Sequence, residues 1–487
     1  MAKLFNLARM STATTGTGTI TLGSAASGYL SFANAGVADG DVVVYGIKDG
    51  SNSEVGFGTY TASGTTLTRN VTTSTNSNSA ISLSGTAEVY VTARAQDFLT
   101  QPMKPGGRLT LTSGTPVMSS SVTAATTIYY TPYQGNYVPL YDGSTFVPTE
   151  FSELSQTTTD TTKSPAACEK DGNYDLFVWN DAGTLRCTRG PIWAKASTVT
   201  MTIASPAVIT WNGHGLLEGQ PIVFTTTGAL PTGITAGTVY YVARAPAANT
   251  FSISTSISNA MNNTRVNTSG SQSGTHTGTA RASNSRGTGS GTSELTLTKG
   301  IYLNTNAITN GPAALRGTYV GTIHTDASSQ VNHVIFSNAS GGGVVRADVF
   351  NAYNRVLQVF ENQDTGTGYT YNSSTVRAAR GDVDNRIYFC IGLVGEAVEA
   401  LHYGDVGPDS TASAPSGFGP SFDDTTTMSD TSFISYMAGT LMTGFGADTL
   451  NPSTLGEHFV SMCEFGDSTV TDFRADNDSV LKLKIWS

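Results

Sequence analysis

Three pairs of carboxylates lie close enough in sequence to suggest acid–base chemistry: Glu396 with Glu399, Asp405 with Asp409, and Asp423 with Asp424. Glycoside hydrolysis needs two carboxyl groups about 5 to 9.5 Å apart, one as acid and one as nucleophile or base. Glu396 and Glu399 stand three apart in 395–402, which reads as a short helix of about two turns, so both would share one face. Such spacing is commonplace on solvated surfaces, and no catalytic residue is assigned. The six histidines (His214, His276, His324, His333, His402, His458) are dispersed, with no H-E-x-x-H and no C-x-x-C partner. No metal ligand set is therefore expected. Asp423 with Asp424, or Asp472, Asp476 and Asp478, offer oxygens for calcium but lack the Gly and distal Glu of an EF-type loop. No cofactor is expected either: 286–292 is Gly-rich but lacks the Lys and following helix of a phosphate loop, and no nucleophile elbow is present. His214, between two glycines, reads as a turn residue whose ring bonds nearby backbone. Arg380-Gly-Asp382 reads as a plain turn.

Binding residues are easier to nominate. Tyr129, Tyr130, Tyr133, Tyr137 and Tyr141 crowd into thirteen positions. A tyrosine offers an apolar face for stacking on a sugar ring and a hydroxyl for its rim, at low entropic cost. Packing between neighbouring domains or subunits would use the same residues. Tyr353 and Arg355, with a long loop over 405–427, form a second candidate region, because loops on a rigid frame are where recognition is placed.

The elements that must position these residues are strands. The chain has 487 residues, 53 Gly, 13% charged and 38% hydrophobic residues. An average soluble domain has about 25% charged and 45–50% apolar residues, and here Thr, Ser, Gly and Asn fill the deficit. Thr suits a pleated surface, while Gly and Asn supply tight turns. An all-β fold follows, with several β-sandwich or barrel modules in series. The net charge of −10 and the lack of a basic stripe exclude a nucleic-acid backbone as partner. No apolar run is long enough to insert in a membrane, and the opening residues lack the apolar region of a signal peptide. Cys168, Cys187, Cys390 and Cys463 are too scattered for a disulfide scaffold. A Cys168–Cys187 bridge across a hairpin stays open beside the reading as free buried thiols.

Residues 1–95 carry about seven short runs separated by turn signals and read as one compact β module, with 93–107 as its linker. Residues 105–193 plus 285–325 read as a second module, split by a small β domain at 196–284 inserted between its halves. The polar exit at 264–293 reads as an exposed linker or a long polar loop. Residues 326–487 carry the longest apolar strands and read as a C-terminal β-sandwich ending on the alternating 480–486. If 196–284 is an insertion, residues near 193 and 285 lie close together in space.

Three of these stretches resemble modules of tailed-bacteriophage virion proteins. The first is 7–22 with Gly40-Asp-Val-Val-Val-Tyr-Gly-Ile47 and Leu67-Thr-Arg-Asn-Val71. The second is Trp211-x-x-His214-Gly-Leu-x-x-Gly219 with Thr227-x-x-Leu-Pro231 and Tyr240-Tyr-Val242. The third joins Arg189-Gly-Pro-Ile-Trp193 to Gly311-Pro-Ala-Ala-x-x-Gly-Thr-Tyr-Val-Gly-Thr322. The resemblance covers most of the chain up to residue 325. It implies a non-enzymatic structural component of the virion, a tail fibre or spike adhering to the host surface, assembled in the bacterial cytoplasm. Its partners would be itself as a homotrimer, other virion proteins through the N-terminal module, and a host surface glycan or protein. A capsid-attached head fibre or decoration protein, and a glycan-degrading tailspike, are the alternatives.

Overall fold

The computed structural model describes residues 3–94, 103–281, 285–382, 384–395, 397–408, 415–428, 432–435, 442–451, 454–466, 471–474 and 479–487. The regular secondary structure is almost wholly strand, and among the described residues its α-helix is the five-residue Ile257–Met261. Two compact units are formed, Met1–Gln101 and Pro102–Ser487.

In the first unit the long hairpin Val42–Asp49 and Asn52–Thr61 is the centre of a seven-stranded sheet. Ala87–Val91 and then Arg9–Thr12 extend it on one side, and Asn70–Ser74 and Thr66–Leu67 both pair with Asn52–Thr61 on the other. Alternation along these strands sends Val43, Tyr45, Ile47, Leu67 and Val89 into a core closed by Ile20, Phe32, Ile81 and Leu83. Glu54 lies inside it, ion-paired with Arg69 and accepting from Tyr45 Oη at 3.0 Å and from the Ile81 amide at 2.9 Å. A buried carboxylate is tolerable only with such full pairing. One of the short runs of this module, 28–32, is a turn and not a strand, with Leu30 bridged to Ala8.

The second unit contains several cores. Gly172–Asp181 is central to the first, pairing with Thr184–Ile192 on one side and Thr318–Thr325 on the other. Between these sequence-distant partners, the chain runs out along Ala194–Met201 and returns along His276–Arg281, with Ala194 opposite Arg281. Residues 194–281 build their own seven-stranded sheet and their own core of Ile209, Trp211, Ile222, Phe224, Val242 and Phe251. At its base Arg286 stacks over the buried Trp193 ring at 4.3 Å and ion-pairs with buried Asp175 at 2.6 Å.

The 264–293 stretch is not the expected linker throughout. His276–Arg281 is a central strand, gripped by both Ala194–Met201 and Pro221–Thr226, with His276, Gly278 and Ala280 facing inward. Its small side chains look polar in sequence, but a Cβ at Gly278 would already press on Val199, Ile222 and Phe224 at 3.1–3.4 Å, so smallness is what the packing requires.

The last core joins two sheets. One contains Val331–Val334, Val345–Ala347, Arg386–Ile391, Gly456–Phe465 and Ser416–Phe422; the other contains Phe336–Ala339, Leu357–Asp364, Ser479–Trp486, Val398–Pro408 and Met442–Leu450. Val345, Ile387, Phe389, Val460 and Met462 from the first meet Phe360, Val398, Ala400, Leu481 and Leu483 from the second. Where a short helix is expected at 395–402, Val398–Pro408 is a strand. Val398, Ala400 and His402 are buried while Glu399 and Tyr403 are exposed, a period of two that suits pairing on both edges better than a helix. Likewise the expected loop over 405–427 contains the buried strand Ser416–Phe422. Strands also cross the expected boundary at 325: Val122–Ala125 pairs with Val331–Val334, and Val349–Asn351 with Thr318–Thr325.

Candidate functional site

The tyrosines of the first candidate region divide by strand geometry. Thr127–Pro132 pairs with Gly107–Thr110 so that Tyr130 lies opposite Leu109, and Tyr129 opposite Thr110. Tyr130 therefore points into the core, 1% exposed, stacked on Phe151 at 4.9 Å, its hydroxyl accepting from the Gly107 amide. This corrects its assignment as a receptor-binding residue, since a ring closed on both faces offers nothing to a ligand. Tyr129 is half-buried on the opposite face. Tyr133 and Tyr137, each 40% exposed, flank the turn that joins this strand to Tyr137–Tyr141.

The turn is held from beneath. The Gly106 amide donates to the Tyr137 carbonyl at 2.9 Å, and the Tyr133 amide to the Gly106 carbonyl at 3.1 Å. Arg108, beside them, is 2% exposed and lies 5.6 Å from the Tyr133 ring centre. Its guanidinium donates to the main-chain oxygens of Pro116, Asn354 and Ser487. Burial draws its pKa down to about 10. Asn354 completes the clamp, donating to the Pro105 and Gly107 carbonyls.

This contact brings the two candidate regions together. Tyr353 and Arg355 flank the clamping Asn354; the Tyr353 hydroxyl accepts from the Tyr302 amide at 3.0 Å, and Arg355 lies over Phe350. Tyr353 and Tyr141 are half-buried against one cluster of Phe146, Ile301 and Leu303. Tyr133 and Tyr137 are thus the exposed aromatics of a hydrogen-bonded turn, whereas Tyr129, Tyr141, Tyr353 and Arg355 are half-buried. Arg108 and Asn354 carry no signal in the sequence, because a lone Arg in an alternating strand reads as a solvent-facing residue.

The other nominated groups are engaged locally. Asp423 accepts from the Phe459 amide and lies 2.7 Å from His458 Nδ1, while Asp424 caps the turn at Thr426 and Thr427. These contacts hold the Asp424 carboxyl below its ordinary range. The cavity beside His458 measures about 20 Å³, room for a water and not for a sugar. Glu399 pairs with Lys484 at the surface, whereas Glu396, Asp409, Asp476 and Asp478 lie outside the described residues, as does the Asp472 side chain. His214 Nδ1 accepts from the Leu216 amide and Nε2 reaches the Ala247 carbonyl, the turn role its glycine neighbours suggest. Arg380 is held by Asp364 at 2.5 Å. Cys168 and Cys187 are buried free thiols, pushed up to about 11 and about 12 by burial.

No family model, characterised protein or solved structure matches the chain. The aromatic turn has to be read from its own chemistry: two amphipathic rings, presented rigidly, suit a shallow ligand such as a sugar or a flat protein surface.

Proposed function

We propose that the chain is a non-enzymatic structural component of a bacteriophage virion, a trimeric tail fibre or spike made of sandwich-like modules. The N-terminal unit attaches to the particle, and the second unit meets the host cell surface. The observation that carries the reading is the modular architecture: several distinct β cores, one built wholly within residues 199–280, in a chain with 53 Gly and only 13% charged residues. The motifs at 7–22, 211–219 and 311–322, which resemble virion modules, support it further. Adhesion is assigned to the Tyr133 and Tyr137 turn.

An antibody against the first unit should label particles of the phage that encodes the chain at the tail. Label on the capsid would point to a head fibre, and unlabelled particles would remove the virion reading. The double substitution Tyr133→Ala and Tyr137→Ala should weaken binding of the purified chain to host cells by about tenfold or more, since interface aromatics commonly contribute over 1 kcal/mol each. The thermal melt should stay unchanged, because both rings are surface groups.

A further inference from the structure

The second sheet of the C-terminal core has one face buried and one in water, and the outer face is unusually apolar. Leu357 stands opposite Trp486, Val359 opposite Lys484, Phe336 beside Glu361, and Tyr403 opposite Phe445. These registers set all of them on one surface running across five strands. Phe336, Leu357, Val359, Tyr403, Phe445 and Trp486 are each 40–60% exposed. Scattered exposed hydrophobics need no explanation, but six large ones on a single sheet face, in two groups on either side of a charged centre, mark an interaction surface.

The charges on this face select the occupant. Lys482 pairs with Glu361 at 2.9 Å and Lys484 with Glu399 at 3.5 Å, both between neighbouring strands among the apolar residues. The four charges cancel, on a chain whose net charge is −10. A nucleic acid or a strongly acidic partner would call for net positive charge. A lipid core would strip water from two ion pairs at the centre of the patch. Two copies of a −10 chain repel each other over most orientations, and this face, neutral and carrying both Lys and Glu, lets them approach without that penalty. A contact in which this face meets its own counterpart needs such self-complementarity. We propose that this outer face is the self-association surface of the chain and that its occupant is a second copy.

The proposal deepens the fibre reading by naming where the subunits meet, and it rests on that reading only for the expectation that the chain oligomerises. Native mass spectrometry and sedimentation velocity of the full chain should show an assembly at micromolar concentration. Val359→Glu with Phe445→Glu should weaken it at least about 100-fold, as expected of central interface residues. Far-UV circular dichroism and the melt should be unaltered, since neither side chain is in the core. Lys484→Glu alone should also weaken the assembly, and adding Glu399→Lys should restore it. A wild-type chain that stays monomeric overturns the proposal. So does an assembly that survives both sets of substitutions, an outcome that leaves the fibre reading intact with subunits joined elsewhere. Antibody labelling of particles decides the virion reading separately.

Discussion

Arg108 is a buried cation whose partners are three main-chain oxygens far apart in sequence. Five donors in a planar fork can satisfy such a set, and a single ammonium cannot. Arg108→Lys should therefore cost about 1–3 kcal/mol, the usual penalty for buried carbonyls left unpaired. It should also weaken cell binding through the Tyr133 turn it underpins. Chemical denaturation and a binding assay on the same variant check both. Near Arg108 sits His333, fully buried against Phe360 and, among the described residues, with no hydrogen-bond partner on either ring nitrogen. Burial, with the Arg108 charge as a lesser cause, holds it neutral down to about 4. An unfolded chain takes up this proton near pH 6.5, so the folded state loses stability as pH falls from 6.5 to 4. His333→Leu should remove that loss: relative to wild type it gains about 3 kcal/mol between pH 7 and pH 4. Melts at the two pH values test this, and an equal difference at both would refute it.

At the scale of elements, the strand Thr318–Thr325 decides how the second unit closes. It lies between Gly172–Asp181 and the short Val349–Asn351. Gly321 faces the Phe350 carbonyl and the Leu109 side chain so closely that a Cβ would collide with both. Gly321→Ala should therefore cost roughly 1–3 kcal/mol, typical of overpacking against backbone. Amide exchange should rise first in 349–351, the strand displaced. The sequence reveals such elements unevenly. Val42–Asp49 and Ser479–Trp486 are legible because apolar residues alternate in them. His276–Arg281 is not, since its inward residues are His, Gly and Ala, which look polar or neutral until the close packing of the neighbouring strands is known. Val398–Pro408 was hidden by Glu and Ala, which favour helices, and only its partners on both edges enforce the period of two. Among the nominated site residues, spacing found Tyr133 and Tyr137 but gave no sign that Tyr130, three residues from Tyr133, turns inward.

For the molecule as a whole, what matters is which stretches of chain close on themselves. The core of Met1–Gln101 is drawn entirely from residues 5–91, and its buried Glu54 finds every partner within the unit. A fragment of residues 1–101 should melt cooperatively by itself, at the temperature of one of two transitions in the full chain. Residues 102–325 are a different case, although sequence motifs mark them as a module pair. Their main core takes Val331 and Val349 from beyond the boundary, their strand Val122–Ala125 pairs with Val331–Val334, and Arg108 anchors to Asn354 and Ser487. Cutting at 325 leaves an unpaired strand edge, an open core and a buried cation without two of its three partners. Each of these costs one or more kcal/mol against a total stability of about 5–15 kcal/mol for a domain. The 102–325 fragment should thus show no sharp calorimetric transition from the core around Leu176, while the 102–487 fragment should restore it. A cooperative melt of 102–325 equal to that of 102–487 would mean that the exchanged strands are decoration, and that the boundary seen in the motifs is also the boundary of folding.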